Sequence, residues 1–129
     1  MIDLVTVEFR SYTLKPGRAA EFDLLMRTQA LPMLQRWGFD VVAQGLSIDG
    51  DDRAYLVRSY RDLTHREVSE DIFEGSTEWL DGPREAILDC IADHACVVLE
   101  LPAGSVDALR WGAREAATRA TTPVSSPAD

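Results

Sequence analysis

Asparagine is absent from these 129 residues, lysine occurs once, as Lys15, and histidine twice. Arginine supplies every other basic side chain, a pattern that speaks of a genome's base composition more than of a function. Basic charge as a whole is scarce: 13 Lys and Arg against 22 Asp and Glu leave a formal net charge of −9. A surface of that sign repels a phosphate backbone, so no nucleic-acid partner is expected. No apolar run approaches the roughly 20 residues of a bilayer span, and no membrane partner is expected either. Cys90 and Cys96 have no CxxC and no histidine pair at ligand spacing near them, and read as two reduced, largely buried thiols. The chain runs directly into a strand pattern with no leader visible. With that cysteine usage, a cytoplasmic protein is the expectation.

Cofactor signatures are missing too. There is no glycine-rich phosphate loop, no HExxH, no GxSxG and no nucleotide fingerprint, so no cofactor is expected. "DGDD" at 49–52 lacks the twelve-residue calcium pattern and its closing glutamate, and reads as a turn. Glu78, Asp81, Glu85, Asp89 and Asp93 read as a solvated helix surface, so no metal is expected. Neither His65 nor His94 falls on a clear inward strand position, which argues against haem.

What is present is a 46% hydrophobic chain long enough for one domain with a single core. A strand over residues 4–14 stops at Pro16-Gly17. Phe22, Leu25, Met26, Met33 and Trp37 then recur at helical spacing over 18–37, with a bend expected near Ala30 from Pro32 and an end at Gly38. Two β-rich runs, 39–48 and 54–60, flank Asp49-Gly50 as a hairpin. Asp62 or Thr64 caps a helix to about residue 73, and Gly75-Ser76 opens another that reaches Ile91. A strand over 94–101 ends at Pro102, Ser105 caps a further helix to 119, and the polar tail 120–129 is expected to be disordered. The order β-α-β-β-α-β is the α+β, ferredoxin-like pattern, with two helices on one face of a four-stranded antiparallel sheet.

The first strand carries Val5, Val7 and Phe9 on one side and Glu8, Arg10 and Tyr12 on the other. The apolar row suits the helices. The polar row is then expected on the opposite face, buried by the sheet of a second subunit. Leu56, Arg58 and Tyr60 share a parity on the third strand, which brings Arg58 and Tyr60 to the same interior.

"VEFRSYTLKPGRAAEFDLLM", "ALPMLQRWGF", "YLVRSYRDL" and "STEWLDG" leading to "VVLEL" together resemble the NIPSNAP family of the dimeric α+β barrel superfamily, over residues 5–101. The resemblance implies a homodimer of ferredoxin-like subunits, in a superfamily that includes cofactor-independent monooxygenases, polyketide cyclases and isomerases. It divides the chain into a barrel domain at 1–103, an appended helix at 104–119 and a tail at 120–129. Two departures stand out: Arg58 occupies a position where many relatives carry an aromatic, and the last helix extends past the usual family end.

Two arginines, one glutamate and two phenols would then converge. Glu8 neutralises only one guanidinium, so the remaining cation calls for an anionic or carbonyl-bearing small molecule held by Arg10, Tyr12, Arg58 and Tyr60. His65 at the barrel mouth and Glu8 are the candidate bases of a cofactor-independent enzyme. The alternative is a closed polar core in a non-catalytic dimeric interaction module, with Glu8 and Arg10 simply paired.

Overall fold

The computed structural model of the chain describes residues 2–50 and 52–121. Strand β1 spans Leu4–Leu14 and leads into α1, Ala19–Leu25. A π-helical turn, Met26–Ala30, follows directly and passes into α2, Leu31–Arg36. Pro32 sits in the first turn of α2, where the preceding wide turn, closed by Leu31 N–H to the Met26 carbonyl, absorbs the bend expected near Ala30.

The helix then ends in a Schellman motif: Phe39 N–H donates to the Leu34 carbonyl at 3.0 Å and Gly38 N–H to the Gln35 carbonyl at 3.1 Å. Gly38 adopts φ +85°, a conformation open to glycine at little cost. This turn delivers Phe39 into the core.

Strands β2, Asp40–Leu46, and β3, Arg53–Tyr60, form the expected hairpin. A bulge between Val41 and Ala43 adds Val42, which is buried with Val7 and Val57. Asp62 accepts a hydrogen bond from His65 N–H at 2.7 Å and caps α3, Leu63–Glu74. The helix expected from Ser76 to Ile91 is two short helices, α4, Thr77–Leu80, and α5, Arg84–Asp89. Asp81, Gly82 and Pro83 break it. A Cβ at Gly82 would run into the Glu78 carbonyl, and Pro83 carries no N–H to continue the ladder.

Ile91 belongs to β4, Ile91–Pro102, which starts earlier than residue 94 because Ile91 pairs with Leu14 across an irregularity in the register. Helix α6 begins at Ala103, whose N–H donates to the Asp3 carbonyl, and runs to Thr121. Ser105 is inside it. The tail expected to be disordered lies, from residue 122 onward, outside the described residues.

The sheet order is β2-β3-β1-β4 with every pair antiparallel, the ferredoxin-like arrangement. One face packs under α1, α2, α3 and α5 through Phe22, Met26, Leu34, Phe73 and Ile87. The other is partly covered by α6, where Val106 packs on Val7, Val42 and Val57. Among the described residues no helix is long and apolar enough to cross a membrane.

The expected assignment of faces is reversed. Val5, Val7 and Phe9 lie on the α6 side, while Glu8, Arg10 and Tyr12 share the helix-covered face with Leu14, Leu56 and Tyr60. An apolar row suits any cover, so β1 alone could not choose. Arginines from the same chain let the polar row lie beneath the helices. Cys90 is buried as expected, but Cys96 is exposed on β4, where the Arg66 guanidinium of α3 reaches its Sγ at 3.8 Å without covering it.

Replacing Gly38 by Ala is expected to destabilise the fold by roughly 1–2 kcal/mol, since the Cβ opposes the left-handed backbone of the Schellman turn. Urea melts of the two proteins check this.

Candidate functional site

The site begins with one register. Glu8 and Arg58 are direct partners across β1 and β3, and Arg10 follows Glu8 on the same face. Helix α3 crosses above them and points Arg66, Glu70 and Phe73 inward, positions three and four apart along one helical face.

Glu8 is fully buried. Its Oε1 accepts from Arg10 Nε at 2.8 Å and from Arg58 Nε and Nη2 at 3.0 and 2.8 Å, and its Oε2 accepts from Arg66 Nε at 2.8 Å. Burial pushes this carboxyl up. Hydrogen bonding with Glu70 and Arg10 and the charges of Arg58 and Arg10 outweigh that and hold it far below the usual carboxylate range.

Glu70 shares the same cations. Its Oε1 accepts from Arg10 Nη2 at 2.8 Å, and its Oε2 accepts from the Tyr60 hydroxyl at 3.0 Å and lies 3.2 Å from Arg66 Nε. Burial and the neighbouring Glu8 carboxylate nevertheless raise the Glu70 carboxyl above its usual range. The geometry and this shift agree once the arginines are counted: Arg10, Arg58 and Arg66 are committed first to Glu8, and Glu70 receives only what remains. Three guanidinium groups against two carboxylates leave one cation over.

Aromatic rings hold the network in place. Arg58 lies over the Phe39 ring, 5.0 Å from its centroid, and Phe39 meets Tyr60 and Phe73 edge-on. Burial raises the phenols of both Tyr12 and Tyr60, so both stay protonated at neutral pH.

Beside this network, between sheet and helices, lies a cavity of about 610 Å³. Arg10, Tyr12 and Arg58 line its sheet wall, Glu70 its α3 edge, and Phe22, Leu34 and Ile87 are among its apolar helix residues. That volume is in the range of small-molecule sites. The cavity lies within one chain, between its sheet and its own helices, and not between two sheets as expected.

Of the residues singled out from sequence, Arg10, Tyr12 and Arg58 line the cavity, and Glu8 and Tyr60 join the hydrogen-bonded layer behind them. His65 stands apart from the cavity lining. Its Nδ1 accepts from Arg61 N–H at 3.0 Å and its ring packs edge-on against Tyr60, so it ties the end of β3 to α3. Sequence reading missed Arg66, Glu70 and His94, which also lines the cavity. The opposite charges at 66 and 70, four apart and in line with Phe73, were the available signal. Among the described residues no group of three or more His, Cys, Asp or Glu is placed to hold a metal ion.

A profile of the NIPSNAP family matches residues 7–94. The chain belongs to the NIPSNAP family. The NIPSNAP chain is similar in structure to an uncharacterised NIPSNAP-like domain protein from Burkholderia xenovorans, with a TM-score of 0.70 at 21% identity over 79% of this chain and 87% of that one. A NIPSNAP family protein from Agrobacterium tumefaciens gives a TM-score of 0.68 at 16% identity, covering 74% and 90% of the two chains. A protein from Nitrosomonas europaea provisionally named as an antibiotic biosynthesis monooxygenase gives 0.58 at 15%, covering 77% and 90%. At these identities the likeness concerns the fold. No curated protein matches the chain.

Because Glu8 is held below its ordinary pKa, its contribution to NIPSNAP stability is full above the usual carboxylate range and is lost as pH falls below it. Glu8→Gln is therefore expected to cost about 3–5 kcal/mol at neutral pH, by stranding buried arginines. The gap to wild type should narrow below about pH 4. Denaturant melts at neutral and acid pH read both effects.

Proposed function

We propose that this NIPSNAP chain binds a small, largely apolar molecule bearing one anionic or carbonyl group, in the cavity between its sheet and its helices. The observation that carries this reading is the composition of that cavity. Apolar helix residues face a sheet wall on which Arg10 and Arg58 belong to a network with one cation in excess. A desolvated guanidinium without a full counter-charge is costly, and a ligand carboxylate or polarised carbonyl answers it with two parallel hydrogen bonds. Tyr12 adds a hydroxyl to the same wall.

In its enzymatic form the reading is a cofactor-independent cyclase, isomerase or monooxygenase. The fold shared with the Nitrosomonas europaea protein is consistent with the last of these. Arg10 and Arg58 would stabilise negative charge developing on a substrate oxygen. The two free cysteines fit a reducing compartment, in keeping with the cytoplasm.

The chain acts as a homodimer in this proposal, through the sheet face opposite the cavity. Val97 is 62% exposed there and Leu99 and Tyr55 lie beside it on the same face, an apolar sheet surface that α6 leaves uncovered. A second copy offers an apolar row of the same kind, and the family resemblance implies that partner.

The saturation of Glu8 favours a second reading, in which the network is a structural core and the chain is a non-catalytic interaction module. Calorimetry with a panel of aromatic and aliphatic monocarboxylates separates the two. Arg10→Ala is expected to weaken binding of those acids by about 10–100-fold, the worth of a charge-assisted hydrogen bond. Acids that bind neither protein, or both equally, would leave only the structural core. Separately, Val97→Glu is expected to convert a dimer to a monomer in light scattering after gel filtration, and an unchanged assembly would rule this face out.

A further inference from the structure

We propose that Glu70 is the internal competitor for Arg10, and that a carboxylate ligand displaces it from that guanidinium while Glu70 takes up one proton from solvent. The inference rests on the reading of the cavity as an anion site and names how that site is regulated. Its starting point is the unequal hold on the two carboxylates. Glu8 receives Arg10 Nε, Arg58 Nη2 and Arg66 Nε, each at 2.8 Å, and has no surface through which a ligand could reach it. Glu70 lines the cavity, and its shortest contact with a cation is the single one from Arg10 Nη2 at 2.8 Å. Its other charged neighbours stand farther off, Arg66 Nε at 3.2 Å and Arg58 Nη2 at 3.6 Å, and both are already engaged with Glu8.

A ligand carboxylate approaching Arg10 from the cavity therefore meets a position already filled by a carboxylate. A third carboxylate brought against Arg10 makes it costlier to keep Glu70 ionised beside it, because like charges a few ångströms apart oppose each other's ionisation. Glu70 is the group that yields: Glu8 is sealed, and burial beside Glu8 already raises the Glu70 carboxyl before any ligand arrives. A ligand anion adds a further push in the same direction. Once protonated, Glu70 no longer competes for Arg10 and becomes a hydrogen-bond donor beside the ligand's oxygen. The charged and titratable groups around it are Glu8, Arg10 and Tyr12 from β1, Arg58 and Tyr60 from β3, Arg66 and Glu74 from α3, Arg84 from α5 and His94 from β4. Of these, His94 is the group whose proton must be told apart from that of Glu70.

Cinnamate, a carboxylate on a flat apolar body, is the probe, titrated into the full chain by calorimetry near pH 6 in paired buffers of different ionisation enthalpy. Wild type is expected to take up as much as one proton per cinnamate bound, with affinity falling by up to about tenfold per pH unit as pH rises. Glu70→Gln should bind without proton uptake, show a flat pH profile and bind more tightly than wild type near pH 8. His94→Asn should keep the wild-type uptake. Should E70Q fail to fold in a thermal melt, Glu70→Ala takes its place. Arg10-dependent binding without proton uptake, or uptake that persists in the Glu70 variants, overturns this inference alone. Cinnamate binding that is absent, or equal in wild type and Arg10→Ala, overturns the anion-site reading and this inference with it.

Discussion

A carboxylate with no access to water sits in the middle of the sheet, and the arrangement around it follows from that one fact. An isolated ion in such a place would cost several kilocalories per mole or would give up its charge. Glu8 keeps its charge because β1, β3 and α3 each send it a guanidinium, so the anion is also what joins two strands to the helix above them. The strand register sets Arg58 opposite Glu8, and the helix periodicity of α3 sets Arg66 over it. Moving either element by one residue would leave a buried charge unpaired. The network thus selects one packing of α3 on the sheet, beyond what an apolar contact would specify.

That choice leaves a consequence for the neighbouring cavity. Glu70 comes inward with Arg66 on the same helical face and finds cations already committed to Glu8. Two carboxylates within one cluster are driven apart in acidity, one held ionised and one raised. Pairs of this kind are how proteins assign different roles to chemically identical groups. Here the sealed member maintains structure and the less buried member, Glu70, borders the cavity, where a proton or a ligand can reach it.

The order of strands and helices was legible in the chain because hydrophobic periodicity and turn residues are local signals. Gly38, the Asp49-Gly50 turn and the Asp62 cap each act within a few residues of themselves. Boundaries moved where partners far along the chain intervened: Ile91 became strand because Leu14 lies opposite it, and the 76–91 helix broke at Gly82 and Pro83. The grouping of Glu8, Arg10, Tyr12, Arg58 and Tyr60 on one face was also readable, since parity along paired strands is a rigid rule. Glu70 was harder to read, because a charged pair at helical spacing occurs on solvated and inward faces alike.

By itself the sequence determined the ferredoxin-like element order, the family, and which residues share a face of the sheet, all consequences of covalent spacing and backbone periodicity. Only the tertiary structure decided which face lies under the helices, that the polar row is closed by arginines of the same chain, and that the cavity is bounded by Glu70 while His65 stands outside it. The physical reason is that burial of a charge depends on the summed field of groups from separate elements. No stretch of chain carries that sum.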